Sequence, residues 1–197
     1  MCIRDSVNVV KLLSRVIMDL AEGEIKQNLN RFDSGQTFSK YLNKSYCKTA
    51  SLIANSCKAA GVLSDLDDQK LTSLYEFGKN IGLAFQVVDD ILDFTGNDKQ
   101  LGKPAVSDLA SGYLTAPVLY ALEENKNLSF LINRELVEKD DLNNALNIIM
   151  NSKAIESSRK LAEEFATLSK EAIFWLPDSE YKRALMSLPE FVLSRLY

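Results

Sequence analysis

The chain of 197 residues contains no histidine, which removes Ser/His and Cys/His nucleophilic pairs, an imidazole general base and histidine-containing metal sites. Any chemistry must run on carboxylates, amines, amides, hydroxyls or the substrate itself. Cysteine is almost as scarce. Cys2, Cys47 and Cys57 are odd in number and show no Cys-x-x-Cys spacing, so neither a disulfide framework nor a zinc site is indicated, and a reducing compartment fits best. No stretch approaches the roughly eighteen uninterrupted apolar residues of a membrane span, and Met1 to Ser6 has no signal-peptide apolar core. The chain is therefore expected to be soluble, with no transmembrane segment. Basic charge is not in excess: 23 Lys and Arg stand against 27 Asp and Glu, for a net charge of -4 and a pI near 5.0. Such a balance offers no field to a nucleic-acid backbone, and no Lys/Arg cluster is interleaved with aromatics, so nucleic acid is not an expected partner.

Helix breakers are few, with only 8 Gly and 4 Pro, and apolar residues recur at three- and four-residue spacing rather than in strict alternation. The fold class read from this pattern is all-α. Helices are expected near 7–22, 37–61, 67–95, 108–123, 130–135, 140–150, 152–175 and 179–196, with loops at Asn28 to Gln36, Leu63 to Asp67 and Gly96 to Ser107. Asp65 and Asp67 read as helix caps, and Pro177 followed by Asp178 as a stop and restart. With 46% hydrophobic and 25% charged residues and no internal repeat, one bundle of ordinary globular composition is the expectation. Residues 1–6 do not continue the periodicity that begins at Val7 and read as a non-native junction, which leaves 7–197 as one unit.

The segment Gly82-Leu-Ala-Phe-Gln-Val-Val-Asp-Asp-Ile-Leu-Asp-Phe94 sets Asp89, Asp90 and Asp93 inside an otherwise apolar run. On a helix Asp89 and Asp93 stand one turn apart on the same side, with Asp90 about 100° round from Asp89. Nothing in the segment neutralises them. Carboxylates facing an apolar interior are costly unless a cation or hydrogen-bond donors meet them, and a divalent cation is the simplest partner. The alternative, a solvated helix face, fits poorly beside Val87, Val88, Ile91, Leu92 and Phe94. The following loop carries Gly102-Lys103-Pro104 and returns a lysine toward the carboxylates. Magnesium is commonly held by one or two carboxylates together with substrate phosphates, so carboxylates plus lysine imply a magnesium–diphosphate ligand. Earlier, Lys48 and Thr49 pair a cation with a hydroxyl just before an apolar segment; taken without further context they are an ordinary helix lysine and threonine. Glu24 reads as a helix-end charge.

These residues resemble the trans-type (all-E) polyprenyl diphosphate synthases, and among them the long-chain, solanesyl-like enzymes. Phe85-Gln-Val-Val-Asp-Asp-Ile-Leu-Asp93 is similar to the second aspartate-rich motif of that family, and Gly102-Lys-Pro-x-x-x-Asp108 to the turn after it. Gly23-Glu24, Lys48-Thr49 and Leu114-Thr-Ala-Pro117 also match. The resemblance implies an isoprenoid-synthase-type helical bundle and a Mg2+-dependent prenyltransferase of quinone side-chain biosynthesis. It condenses isopentenyl diphosphate with an allylic prenyl diphosphate into a long-chain all-trans polyprenyl diphosphate. By the same resemblance Asp89, Asp90 and Asp93 hold magnesium, and Lys48 and Lys103 contact diphosphate oxygens. Thr49 and Gln86 support that site, Phe85 lies on the cavity wall, and Asp89, Asp90 and Lys48 are the catalytic candidates. The family also implies a homodimer, cytoplasmic in a bacterium and in a plastid or mitochondrion in a eukaryote.

The sequence departs from the family in carrying no first Asp-Asp-x-x-Asp motif and none of the upstream basic residues that bind isopentenyl diphosphate. It reads as the C-terminal portion of such an enzyme, a partial bundle. One alternative is a noncatalytic or regulatory subunit of the same fold that pairs with an active synthase. Another, a terpene cyclase, is disfavoured by the Phe-Gln-x-x-Asp-Asp and Gly-Lys-Pro combination.

Overall fold

The computed structural model describes residues 6–96 and 106–197, and these contain helices and turns with no strand. Helix α1 spans Val7–Leu29, α2 Phe38–Ser45, α3 Ser51–Leu63, α4 Asp68–Thr95 and α5 Ser107–Ala110. They are followed by α6 Ala116–Glu124, α7 Lys126–Asn133, α8 Asp141–Met150, α9 Ala154–Ala172 and α10 Glu180–Ser194. The all-α expectation therefore holds. Lys103, expected at the diphosphate, lies outside the described residues.

Helix α4 is the axis of the bundle, because it is apolar on most of its circumference and packs against α3, α9, α10 and the turn between α2 and α3. Asp67 caps it, accepting a hydrogen bond from Lys70 N at 2.9 Å. Asp65, also expected as a cap, instead turns the chain with a φ of 52°. Val87, Val88 and Ile91 are fully buried, each contributing roughly 1.5–3 kcal/mol of burial free energy. That burial holds the aspartate-bearing end of α4 in place.

Three expected boundaries differ. Helix α1 runs to Leu29 rather than to residue 22, with Glu22 paired to Lys26 along its surface at 2.5 Å. The single helix expected over 37–61 is interrupted by a π turn at Tyr46–Ala50, where Ser51 N reaches back to Tyr46 O. One residue is thus added to a turn that carries both Lys48 and Thr49. The helix expected over 108–123 divides at Gly112, whose φ of 81° ends α5. A Cβ there would stand 2.4 Å from the Phe32 ring, while the Gly112 carbonyl accepts from Phe32 N at 2.9 Å. The α1–α2 loop is thereby pinned to the α5–α6 loop, and Pro117 near the start of α6 completes the break.

Helix α1 buries only Val9, Asp19 and Gly23, and its outer side exposes Val7, Ile17, Met18, Ile25 and Leu29, each by 60% or more. Among the described residues no helix is long and apolar enough to cross a membrane.

Candidate functional site

Asp89, Asp90 and Asp93 share the C-terminal end of α4, where the helix dipole is already unfavourable to negative charge. The structure meets each of them differently. Asp90 is buried and takes three donors: the Tyr41 phenol at 2.6 Å, Gln86 Nε2 at 2.8 Å and Ala116 N at 3.4 Å. The last places the positive start of α6 against it. Burial nevertheless pushes its carboxyl up to about 6, opposed first by the Lys44 ammonium and then by those donors. Asp93 is buried against the start of α5, accepting from Ser107 Oγ at 3.3 Å and Asp108 N at 3.2 Å. Asp89 is partly exposed and pairs with Arg195 across 2.7 Å.

Gln86 also accepts from Thr49 Oγ1 at 2.8 Å, so Thr49, Gln86 and Asp90 form one hydrogen-bonded line from the π turn to α4. Lys48 lies on the same turn and pairs with Glu24 at 3.1 Å while donating to Gln27 at 3.1 Å. Glu24, expected as a helix-end charge, is thus an interior residue of α1 that orients Lys48. Phe85 offers its ring face to Arg195, whose guanidinium carbon stands 4.7 Å from the centroid.

Two cavities meet at this end of the bundle. One of about 800 Å³ is lined by Gln86, Asp89, Asp108, Arg159, Arg195 and Tyr197, among others. The other, of about 90 Å³, is lined by Lys44, Lys48, Gln86, Asp90, Asp108 and Thr115, with Gln27, Ser45 and Tyr113. Gln86 and Asp108 line both. The carboxylate and amide oxygens on these walls are hard donors, the chemistry that magnesium or calcium takes, and the lysines and arginines around them suit phosphate oxygens.

Tyr41, Lys44, Arg159 and Arg195 belong to this region, and the sequence reading did not single them out. Lys44 had a signal: it precedes Lys48 by one turn on the same helical face. Burial lowers its ammonium from the ordinary lysine range, partly offset by Asp90 and Asp108. A separate acidic group, Asp19 and Glu22 beside Cys47, is engaged internally. Asp19 pairs with Arg15 at 2.8 Å and accepts from Ser51 at 2.6 Å, and Glu22 pairs with Lys26.

Residues 1–149 match the family model described as polyprenyl synthetase. A prenyl transferase of Synechocystis sp. is 52% identical over 193 residues, which cover 98% of this chain and 60% of that protein. The chloroplastic solanesyl diphosphate synthase 2 of Arabidopsis thaliana is 45% identical over 192 residues, covering 98% of this chain and 46% of that one. A polyprenyl synthase of Caulobacter crescentus, solved with calcium and isoprenyl diphosphate, superposes with a TM-score of 0.89 at 31% identity, covering 98% of this chain and 60% of that chain. This chain spans about half to three-fifths of the length of these proteins. The helical bundle, the aspartate-bearing α4 and the match over residues 1–149 lead to one conclusion: the chain belongs to the polyprenyl synthetase family.

Proposed function

We propose that the chain supplies the allylic-diphosphate side of a polyprenyl diphosphate synthase that elongates an allylic prenyl diphosphate with isopentenyl diphosphate to a long-chain all-trans product. One observation carries the reading. A partly exposed carboxylate, Asp89, and a buried one, Asp90, line two cavities that share Gln86 and Asp108, with Arg159 and Arg195 on the wall of the first and Lys44 and Lys48 on the wall of the second. Asp89, Asp90 and Asp93 would hold Mg2+, which when bound draws electron density from the allylic diphosphate and eases its departure. Lys48 and Lys103 would take diphosphate oxygens, as would Lys44. Thr49 and Gln86 keep Asp90 oriented. Phe85, already carrying a guanidinium on its face, is built to face a carbocation. The departed diphosphate can serve as the base for the proton lost on condensation, which agrees with a sequence that contains no histidine.

The calcium and isoprenyl diphosphate of the Caulobacter relative support this ligand chemistry. The solanesyl diphosphate synthase of Arabidopsis supports a long product, and its chloroplast location supports a plastid where the source is a plant or alga. The apolar outer side of α1 supports a homodimer, testable by sedimentation equilibrium.

The deciding experiment measures labelled isopentenyl diphosphate passing into organic-extractable product with farnesyl diphosphate and Mg2+. It compares this chain with one extended upstream of Val7 by the matching segment of the Synechocystis relative. Product from the extended chain supports the synthase. No product from an extended chain that is folded and binds Mg2+ would instead support the noncatalytic subunit.

A further inference from the structure

We infer that Arg195 is a place-holder for the cation at Asp89, and that cation binding hands its guanidinium to the diphosphate; the inference rests on the metal–diphosphate reading of the site. Arg195 caps α10 and reaches back onto α4, with Nη2 2.7 Å from Asp89 Oδ1 and the guanidinium stacked on Phe85. The side chains are 34% and 37% exposed and stand together on the wall of the 800 Å³ cavity.

An ion pair this exposed contributes about 0–1 kcal/mol, too little to be what docks α10. That helix is held by the burial of Pro189 and Val192 and by Leu185, Met186 and Leu193 packed against the core. The pair therefore has a small energetic barrier to exchange and little structural purpose. Its position gives it another. A cation that takes Asp89 as ligand competes with the guanidinium, because two positive charges on one carboxylate repel each other and each weakens the other's hold. The freed guanidinium stays over Phe85 and faces the cavity, where its planar fork suits two phosphate oxygens at once. Arg159 stands on the same wall, its guanidinium 5.4 Å from the Tyr197 ring, with no carboxylate partner among the described residues. The wall thus holds one uncommitted guanidinium and one committed only until a cation arrives.

Isothermal titration of the chain with MgCl2 alone, and with inorganic pyrophosphate at saturating MgCl2, tests the exchange on wild type and Arg195→Gln. Removing the competitor should tighten Mg2+ binding about two- to fivefold, the worth of an exposed pair. Removing the diphosphate contact should weaken pyrophosphate binding roughly tenfold, the worth of a charge-assisted hydrogen bond. Opposite signs are the signature, since a merely structural arginine would weaken both. In an Asp89→Asn background the Mg2+ effect of Arg195→Gln should vanish, as a double-mutant cycle requires. Arg195→Lys should keep most of the competition and lose the bidentate contact. Unchanged or weaker Mg2+ binding by Arg195→Gln, with wild type binding both ligands, overturns the exchange alone. A wild-type chain that binds neither ligand overturns the metal–diphosphate reading and the exchange together.

Discussion

Tyr41 donates a 2.6 Å hydrogen bond to Asp90, and the two buried side chains lock α2 to the aspartate end of α4. The phenol satisfies a carboxylate that is almost wholly buried. Tyr41→Phe keeps the ring and removes only the donor, so it should cost about 1–3 kcal/mol, the usual penalty for leaving a buried charged acceptor short of a partner. Urea unfolding of both proteins measures this. A loss below about 0.5 kcal/mol would mean that Gln86 and Ala116 suffice.

The raised carboxyl of Asp90 makes stability depend on pH in a definite direction. Its pKa is about 6 in the folded chain against 3.8 for the ordinary group, so between these values the native state binds more protons than the unfolded one. Stability contributed by this site is then lost as the pH rises through about 4 to 6, and the cost is complete above that window. Two units correspond to about 3 kcal/mol. In the absence of metal, Asp90→Asn should be more stable than wild type by up to about 3 kcal/mol at pH 7.5 and should lose that advantage near pH 4. Thermal melts at the two pH values compare them, and a gap independent of pH would contradict the shift. Mg2+ affinity should rise through the same window as Asp90 loses its proton.

How much of this was legible depends on how local the signal is. The aspartates of α4 could be read because three carboxylates inside Val87, Val88, Ile91 and Phe94 are anomalous within a single helical segment. Lys48, Thr49 and Gln86 were found through motif likeness, and their hydrogen-bonded line through Asp90 needs two helices to exist. Tyr41 and Arg195 could not be read at all. One meets Asp90 from a separation of 49 residues and the other arrives from beyond α10, and neither has a pattern around it to mark the encounter. The division of 108–123 was hidden for a related reason: Gly112 looks tolerable inside a helix until the Phe32 ring is placed where its Cβ would be. The π turn at Tyr46–Ala50 leaves the apolar spacing on either side nearly unchanged, so periodicity does not reveal it.

Gly82 is packed directly against the end of the π turn. A Cβ built there would lie 2.6 Å from Ala50 Cα and 2.8 Å from Ala50 Cβ. Backbone cannot rotate away as a side-chain tip can, so Gly82→Ala must push the two elements apart. The expected cost is about 1–3 kcal/mol despite the better helix propensity of alanine. Because Thr49 adjoins Ala50, the Thr49–Gln86 bond should lengthen too. Chemical denaturation checks the first effect. A stabilised Gly82→Ala variant would show that the contact has room to relax.

Asp89 and Asp93 separate chemistry from folding within one motif. Asp89 is partly solvated and its only described partner is an exposed arginine, so Asp89→Ala should change stability by no more than about 0.5 kcal/mol. In the extended, active enzyme the same variant should lower turnover a hundredfold or more, as expected when roughly 3 kcal/mol of metal-borne transition-state stabilisation is lost. Asp93→Ala is different, because its buried carboxylate accepts from Ser107 and Asp108 and fixes the start of α5. That variant should lose both turnover and about 1–3 kcal/mol of stability. Steady-state kinetics and urea unfolding on the two variants distinguish the roles. Wild-type turnover by a folded Asp89→Ala enzyme would remove Asp89 from the metal site, and with it the reason for Arg195 to stand where it does.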